Sequence, residues 1–113
     1  MTVKKLKLND SNLDQLVDYL IRAGKFDYEK HGADMTILVQ DNLLLTDMTA
    51  HLNILILKNE AGFILADVIS GGGEDGLLDF SGLVDKDYAG ITARLLYDYA
   101  QLYELVIEPV KAE

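Results

Sequence analysis

The chain opens with a short segment in which apolar and charged side chains alternate. Leu6 and Leu8 share one face of an extended strand, whereas Lys5 and Lys7 take the opposite face. Lysine on the outward positions of an edge strand discourages pairing with another chain. The pattern therefore predicts a half-buried edge strand at the start of the fold.

The next stretch has the spacing of a single helical stripe. Its apolar residues recur at i, i+3, i+4, i+7 and i+8, and they are Leu13, Leu16, Val17, Leu20 and Ile21. Asp10 and Ser11 precede the stripe and offer N-cap oxygens, with Asp14 as a capping-box partner. Gly24 suits the C′ position after the last turn. We expect an amphipathic helix over residues 12–23.

Strand-like runs fill the middle of the chain. Residues 26–31 alternate between aromatic and charged side chains, and residues 35–40 form a second β-rich run. Asp41 and Asn42 follow this run. They leave two alternatives open, either a tight hairpin at this pair or a longer loop that extends through Thr49.

Two later runs, residues 51–58 and 63–70, are apolar on both faces. Ile54 and its neighbour Leu55 point to opposite faces of the first run, and the second run repeats the pattern. The four residues between the runs, 59–62, fit a hairpin loop. An antiparallel sheet with one wet face alternates apolar and polar residues along each strand. We therefore expect a helix, a second subunit or a ligand to cover the second face.

A long helix is predicted near the C-terminus, over residues 85–106. Asp85 can cap its start, and Pro109 ends the element. Arg94 and Asp98 lie on its polar side at the i,i+4 spacing of an ion pair. Two adjacent stripes give the helix a broad apolar face: Tyr88, Ile91, Leu95, Tyr99, Leu102 and Val106 form one, and Ala89, Ala93, Leu96, Ala100 and Tyr103 form the other.

These elements predict an α+β fold in one domain over residues 1–113. An antiparallel sheet of about five strands, the last at residues 77–83, carries one N-terminal helix and one long C-terminal helix. Neither an internal repeat nor a linker-like stretch divides the chain.

Composition fits such a domain and excludes several classes of protein. Half of the 113 residues are hydrophobic and only one is Pro, unlike disordered or collagen-like chains. The absence of Cys excludes a disulfide framework and a thiolate zinc site. The net charge of −9 argues against nucleic acid and anionic membranes as partners. No apolar run approaches the ~18 residues of a membrane span.

The negative charge is unevenly distributed along the chain. Residues 1–30 hold six basic and five acidic residues, a net charge of +1, whereas residues 31–113 hold four basic and fourteen acidic residues, a net charge of −10. Much of this surplus surrounds a glycine-rich segment. We therefore expect any cation or charged partner to meet the protein between Glu74 and Asp87.

That glycine-rich segment begins with Gly71, Gly72 and Gly73 and matches G-x-G-x-x-G after a strand. A dinucleotide site needs a helix after the glycines, with its N-terminus at the pyrophosphate. Strand-like sequence follows here instead, and Glu74 would repel phosphate. The pattern favours a flexible turn, beside which Ser70 could expose its hydroxyl.

Histidine chemistry has little support in the spacing. His31 and His51 could approach each other or Asp34, and two histidines with a carboxylate can hold zinc or exchange protons. Neither H-x-x-x-H nor H-E-x-x-H spacing is present. We predict a non-enzymatic protein without metal or cofactor, and rank an enzyme that uses these residues last.

Six tyrosines, four of them on the predicted last helix, are the other unusual feature. Tyrosine is enriched where a partner buries a surface, and Tyr97, which lies off the main stripes, is the best candidate for an exposed ring. Tyr88 or Tyr99 could instead supply polar contacts at the mouth of a pocket between helix and sheet. The candidate ligand-binding residues are Ser70, Gly71, Gly72, Gly73, Glu74, Tyr88 and Tyr99.

One segment ends a central strand with the residues Val68-Ile69-Ser70-Gly71-Gly72-Gly73. In this segment, and in the order strand–helix–antiparallel strands–helix, the chain resembles a small uncharacterised domain family of Firmicutes. The resemblance implies a bacterial, cytoplasmic protein. That family has no assigned activity, so it implies no catalytic or binding residue.

Taken from the residues, the function we expect is that of a non-enzymatic interaction module. The two-faced strands and the tyrosine-rich helix predict a homodimer that covers the second face of the sheet. The alternative is a small-molecule binding module, with a small apolar ligand in a pocket between the sheet and the C-terminal helix.

Overall fold

A computed structural model describes residues 2–44, 49–72 and 88–110 of the chain. These residues form two helices and one antiparallel sheet of six strands, which confirms the predicted α+β class. The strand predicted at residues 77–83 lies outside them. The elements are β1 (Thr2–Asn9), α1 (Leu13–Ala23), β2 (Tyr28–His31), β3 (Met35–Leu44), β4 (Thr49–Glu60), β5 (Phe63–Gly72), α2 (Tyr88–Leu102) and β6 (Ile107–Pro109), and the strand order is β2-β3-β4-β5-β1-β6.

Strand β1 lies inside the sheet, so the prediction of an edge strand is wrong. The short strand β6 pairs with β1 on the side away from β5, with Pro109 opposite Leu6. The bonds between the two strands fall on either side of Pro109, because the N–H of Val110 donates to the carbonyl of Lys5 and the N–H of Asn9 donates to the carbonyl of Val106. A proline lacks a backbone donor and is tolerated on such an edge strand.

The N-cap of helix α1 lies one residue later than the sequence predicts. Asn12, rather than Asp10 or Ser11, is the N-cap, and its side-chain oxygen accepts a 3.0 Å hydrogen bond from the N–H of Gln15. Asp10 instead adopts a left-handed φ of 58° in the turn that follows β1. The helical stripe itself is confirmed, because its first four members are buried: Leu13, Leu16, Val17 and Leu20.

The glycine that ends α1 is explained by close packing. Gly24 has an extended backbone, with φ of −106°, and not the left-handed conformation of a C′ glycine. A Cβ at this position would lie 2.8 Å from Cε2 of Phe26 and 3.1 Å from Cδ1 of Leu95. Any side chain here would therefore push the end of α1 away from Phe26 and α2.

Two of the predicted turns fall elsewhere. Strand β3 runs through Asp41, which pairs with Leu52 of β4, so a hairpin at residues 41–42 is wrong. The turn between β4 and β5 is tighter than the four residues predicted, because Glu60 already pairs with Phe63. Gly62 adopts a φ of +85° in this two-residue turn, a conformation that glycine tolerates best.

Helix α2 ends at Leu102, several residues before the predicted end. Glu104 adopts a left-handed φ of 55°. The N–H of Leu105 then donates to the carbonyl of Ala100 at 2.8 Å, and the N–H of Glu104 donates to the carbonyl of Gln101 at 3.3 Å. This pair of bonds is a Schellman motif, in which the chain reverses and satisfies the last helical carbonyls. The reversal directs the chain into β6.

Both helices cover the same face of the sheet, and the core lies between them and the strands. Register places Leu38, Leu55 and Val68 side by side across β3, β4 and β5, and all three are fully buried. The core is completed by residues of β1 and of both helices, including Leu8, Leu16, Leu20, Leu96 and Tyr99. Neither of the two described helices is long and apolar enough to cross a membrane.

Candidate interaction surface

The sheet face opposite the helices, here called the outer face, carries a continuous apolar row. Directly paired residues of neighbouring antiparallel strands lie on the same face. By this register the row crosses five strands, from β2 to β1, and consists of Tyr28, Val39, Ile54, Ile69 and Val3. No charged residue interrupts it, which is unusual for a sheet face turned away from the core.

Charged side chains border this apolar row on one side. Lys5 pairs with Asp67 at 3.5 Å, and Lys58 pairs with Glu60 at 3.4 Å. The ammonium group of Lys7 lies 4.5 Å from the ring centroid of Phe63. Apolar residues continue between these groups and include Ile37, Ile56, Leu65 and Met35. An apolar centre with a polar rim of both charge signs is the usual anatomy of a protein–protein interface.

None of the elements in the described part of the chain covers the outer face. Tyr28 is 53% exposed, Leu52 43% and Val3 42%. The alternate residues of the same strands, such as Leu55 and Val68, are fully buried under the helices. The prediction that β4 and β5 are apolar on both faces is therefore confirmed.

A groove, here called the edge groove, lies between residues 3–6 of β1 and helix α2, with Pro109 and Val110 beside them. It has a volume of about 510 Å³, within the range of ligand-binding pockets. Lys4 and Leu6 line it from β1, and Ala93, Arg94 and Tyr97 line it from α2. It lies between the sheet and the C-terminal helix, where a pocket is expected from the sequence.

Arg94 stands in this groove without a carboxylate partner among the described residues. The predicted i,i+4 ion pair with Asp98 is wrong, because no ion pair joins these two residues, although both line the groove. Arg22, the other arginine of the chain, does form its i,i+4 pair, with Asp18 at 3.1 Å. The guanidinium of Arg94 is consequently the group in this groove with free capacity for an anion.

The described residues among those predicted to bind a ligand lie on β5 and on α2. Ser70 is 7% exposed in β5, where it lies opposite Thr2, the first residue of β1. Gly71 and Gly72 continue the same strand, and Tyr88 is the first residue of α2. Gly73 and Glu74 lie outside the described residues, as does the acidic stretch up to Asp87. A shared ligand site at these residues stays a prediction.

Tyr99 lies far from Ser70, in the core between the two helices. Its hydroxyl donates to Oε1 of Gln15 at 2.9 Å and accepts from Oγ of Ser11 at 3.4 Å. Ser11 lies nine residues after Thr2, the residue opposite Ser70, and the strand from Thr2 to Asn9 alone spans about 23 Å. Burial raises the pKa of Tyr99 above its ordinary value; the hydrogen bond from Ser11 opposes this shift and the neighbouring Tyr103 adds to it.

The two histidines are also separated. His31 lies on β2 with its ring nitrogen 3.1 Å from a carboxylate oxygen of Glu29. Across β3, His31 is aligned with Leu57 of β4. His51 lies six residues before Leu57 on that strand, about 20 Å away. Within the described residues, no group of three potential His, Asp or Glu ligands could hold a metal ion.

Sequence reasoning missed part of both surfaces. It identified Ile54 and Ile69 as members of a second apolar face but did not extend that face to Tyr28, Val39 or Val3. The alternation of residues 35–39, where Leu38 points away from its apolar neighbours on either side, carries the same signal. The edge groove had no such signal, because its walls come from both ends of the chain. Tyr97, expected to be exposed, is 42% exposed and lines this groove.

Comparisons with known proteins add no assignment to this geometry. Neither the family models, nor the curated proteins, nor the solved structures contain a match to the chain. The resemblance to the Firmicutes domain family stays a prediction. The physical character of the two surfaces is therefore the basis for a functional argument.

Proposed function

We propose that this chain is a non-enzymatic interaction module that forms a homodimer through its outer face. The single observation that supports this most strongly is the uninterrupted apolar row from Tyr28 to Val3, which no described element covers. Exposed apolar patches of this extent on a small domain generally mark an interaction site. The row extends across five strands, so a protein surface suits it better than a small ligand.

The area of the outer face meets the lower requirement for a specific dimer. Four central strands at about 4.8 Å spacing, each contributing about eight residues at about 3.3 Å, span roughly 500 Å² per copy. Two copies would bury about 1,000 Å², which is at the lower limit of specific interfaces. We therefore expect a reversible dimer with a dissociation constant in the micromolar range.

A second copy fits this face because the face is complementary to itself. In a twofold interface the same patch meets itself, so any charge near the axis would oppose a like charge. The row through Ile54 and Ile69 contains no charge, and Lys5 and Asp67, which pair with each other in the neighbouring row of the same face, provide both signs beside it. Two such sheets would pack face to face at the ~10 Å separation of a β-sandwich.

A matched pair of charge substitutions tests this proposal. Ile54→Lys places a charge in the middle of the apolar row. Leu102→Lys introduces the same charge at an equally apolar position that is 62% exposed on α2, away from the outer face. We expect size-exclusion chromatography with light scattering to show a monomer for Ile54→Lys and an unchanged dimer for Leu102→Lys.

Folding of the first variant must be checked independently, because Ile54 lies on a central strand. Far-UV circular dichroism and a cooperative thermal transition would establish that Ile54→Lys keeps the fold. Val39→Lys, in the same row on β3, provides a second disrupting variant. A folded Ile54→Lys or Val39→Lys protein that dimerises as the wild type does would refute the proposal.

For the setting of this dimer we propose the bacterial cytoplasm. The resemblance of the Val68-to-Gly73 segment to the Firmicutes family supports it, and the cysteine-free composition suits a reducing compartment. Cell fractionation with an antibody against the native chain would test the location. Recovery of the protein in the membrane or culture-medium fraction would argue against it.

A further inference from the structure

The edge groove has the form of a ligand site, and it adjoins the outer face at Val3. Residues 3–6 of β1 form one wall and α2 forms the other, and Pro109 and Val110 also line the groove. Its volume of about 510 Å³ would accommodate a small organic molecule. The groove opens at the rim of the sheet.

Apolar groups form most of this groove. Leu6 and Ala93 are buried at its base, with exposed fractions of 3% and 4%. Above them Tyr97 and Val110 present exposed apolar surface, at 42% and 37%. An aliphatic chain laid along this base would remove apolar area from water on both the protein and the ligand.

Basic residues outnumber acidic ones among the described residues that line the groove. They are Lys4, Lys5 and Arg94, against Asp98, in a chain whose net charge is −9. Lys4 already has an interaction partner. Lys5 is already paired with Asp67 on the outer face. Arg94, in contrast, has no carboxylate partner among the described residues, and a guanidinium binds a carboxylate through two parallel hydrogen bonds.

We propose that the edge groove binds an amphipathic monocarboxylate, with the aliphatic tail on Leu6, Ala93 and Tyr97 and the carboxylate on Arg94. The apolar base selects the tail, and the guanidinium of Arg94 selects an anionic head group. A neutral apolar molecule would leave Arg94 unused, and a cation would be repelled by it. The groove shares Val3 with the apolar row of the outer face, but the proposed tail and head-group contacts use no residue of that row, so binding does not require the homodimer.

Titration with straight-chain carboxylates tests this assignment. Amide shifts in ¹⁵N-labelled protein locate the site, and calorimetry gives the dissociation constant for hexanoate, heptanoate and octanoate. We expect shifts concentrated at residues 3–6 and 90–98, with affinity rising about fourfold for each added methylene. Octanol should bind at least about tenfold more weakly than octanoate, because it lacks the charge-assisted contact.

Two arginine substitutions separate the local contact from overall charge. Arg94→Gln should weaken octanoate binding by about tenfold, whereas Arg22→Gln, which removes the same charge from the exposed face of α1, should leave it unchanged. Ile54→Lys should also bind octanoate normally, so failure of the dimer and failure of the groove are distinguishable. Equal affinity for octanol and octanoate, an unaltered Arg94→Gln protein, or shifts outside the groove would each overturn the proposal.

Discussion

The hydroxyl of Tyr99 donates a 2.9 Å hydrogen bond to Oε1 of Gln15, and this bond joins the two helices across the core. The ring of Tyr99 is fully buried and lies 5.4 Å from the ring of Tyr19 and 4.9 Å from that of Tyr103, measured between centroids. Helix α1 and helix α2 are far apart in the chain, so this cluster fixes how they sit on the sheet. The outer face depends on it indirectly, because both helices hold the strands from the other side.

Replacing Tyr99 by Phe should destabilise the protein without unfolding it. The ring packing is retained, but the hydrogen bonds with Gln15 and Ser11 are lost and Gln15 loses its partner, which costs about 1 kcal/mol in the free energy of unfolding. Urea denaturation measures this difference. Tyr97→Phe is the matched control, because that ring is half-exposed, and it should change stability by less than about 0.5 kcal/mol. Equal effects of the two substitutions would contradict the assigned role of Tyr99.

The raised pKa of Tyr99 predicts a specific weakness in alkali. The folded state holds the phenol proton more tightly than the unfolded state, whose tyrosine has the ordinary pKa of 10.0. This contribution to stability is complete below pH 10 and is lost as pH rises through the higher pKa of the folded state. The stability difference between the wild type and Tyr99→Phe should therefore shrink from pH 9 to pH 11. A difference that stays constant over this range would argue against a perturbed Tyr99.

Glycine should stabilise the end of α2 at one position and destabilise it at another. The Cβ of Glu104 makes its left-handed backbone in the Schellman motif unfavourable. Glu104→Gly removes this strain and should raise the free energy of unfolding by about 1 kcal/mol. Gln101→Gly, three residues earlier within the exposed helix, should lower it by about the same amount. Thermal unfolding of both variants provides the check. The same sign of change in both would contradict the helix end described above.

Thr92 predicts a stabilising substitution inside the core. Its side chain is 1% exposed, and its hydroxyl oxygen has no hydrogen-bond partner among the residues that the structure describes. Valine has nearly the same shape and carries no polar group, so Thr92→Val should raise stability by about 1 kcal/mol. Chemical denaturation measures the change. A destabilised variant would mean that the hydroxyl has a partner in solution.

Periodicity predicted the elements whose apolar spacing is long and regular. The predictions of the α1 stripe and of the two-faced runs of β4 and β5 were correct, because the apolar spacing repeats several times along each element and assigns the same face each time. Strand β6 has only three residues and contains Pro109, so it carries no alternation to detect. The early end of α2 was missed because Glu104, and not the usual glycine, adopts the left-handed conformation. The edge groove depends on tertiary contact between the two ends of the chain, which local spacing does not encode.

Homodimerisation through the outer face is the central claim, and sedimentation of the wild-type protein tests it most directly. One chain has a mass of 12.5 kDa. We predict that the weight-average mass rises toward twice this value as the concentration increases from about 1 to about 100 μM, as for a micromolar dimer. Added salt should favour the dimer, because it screens the repulsion between two chains of net charge −9. A mass that stays at 12.5 kDa throughout this range, at low and at high salt, would contradict the proposed interaction.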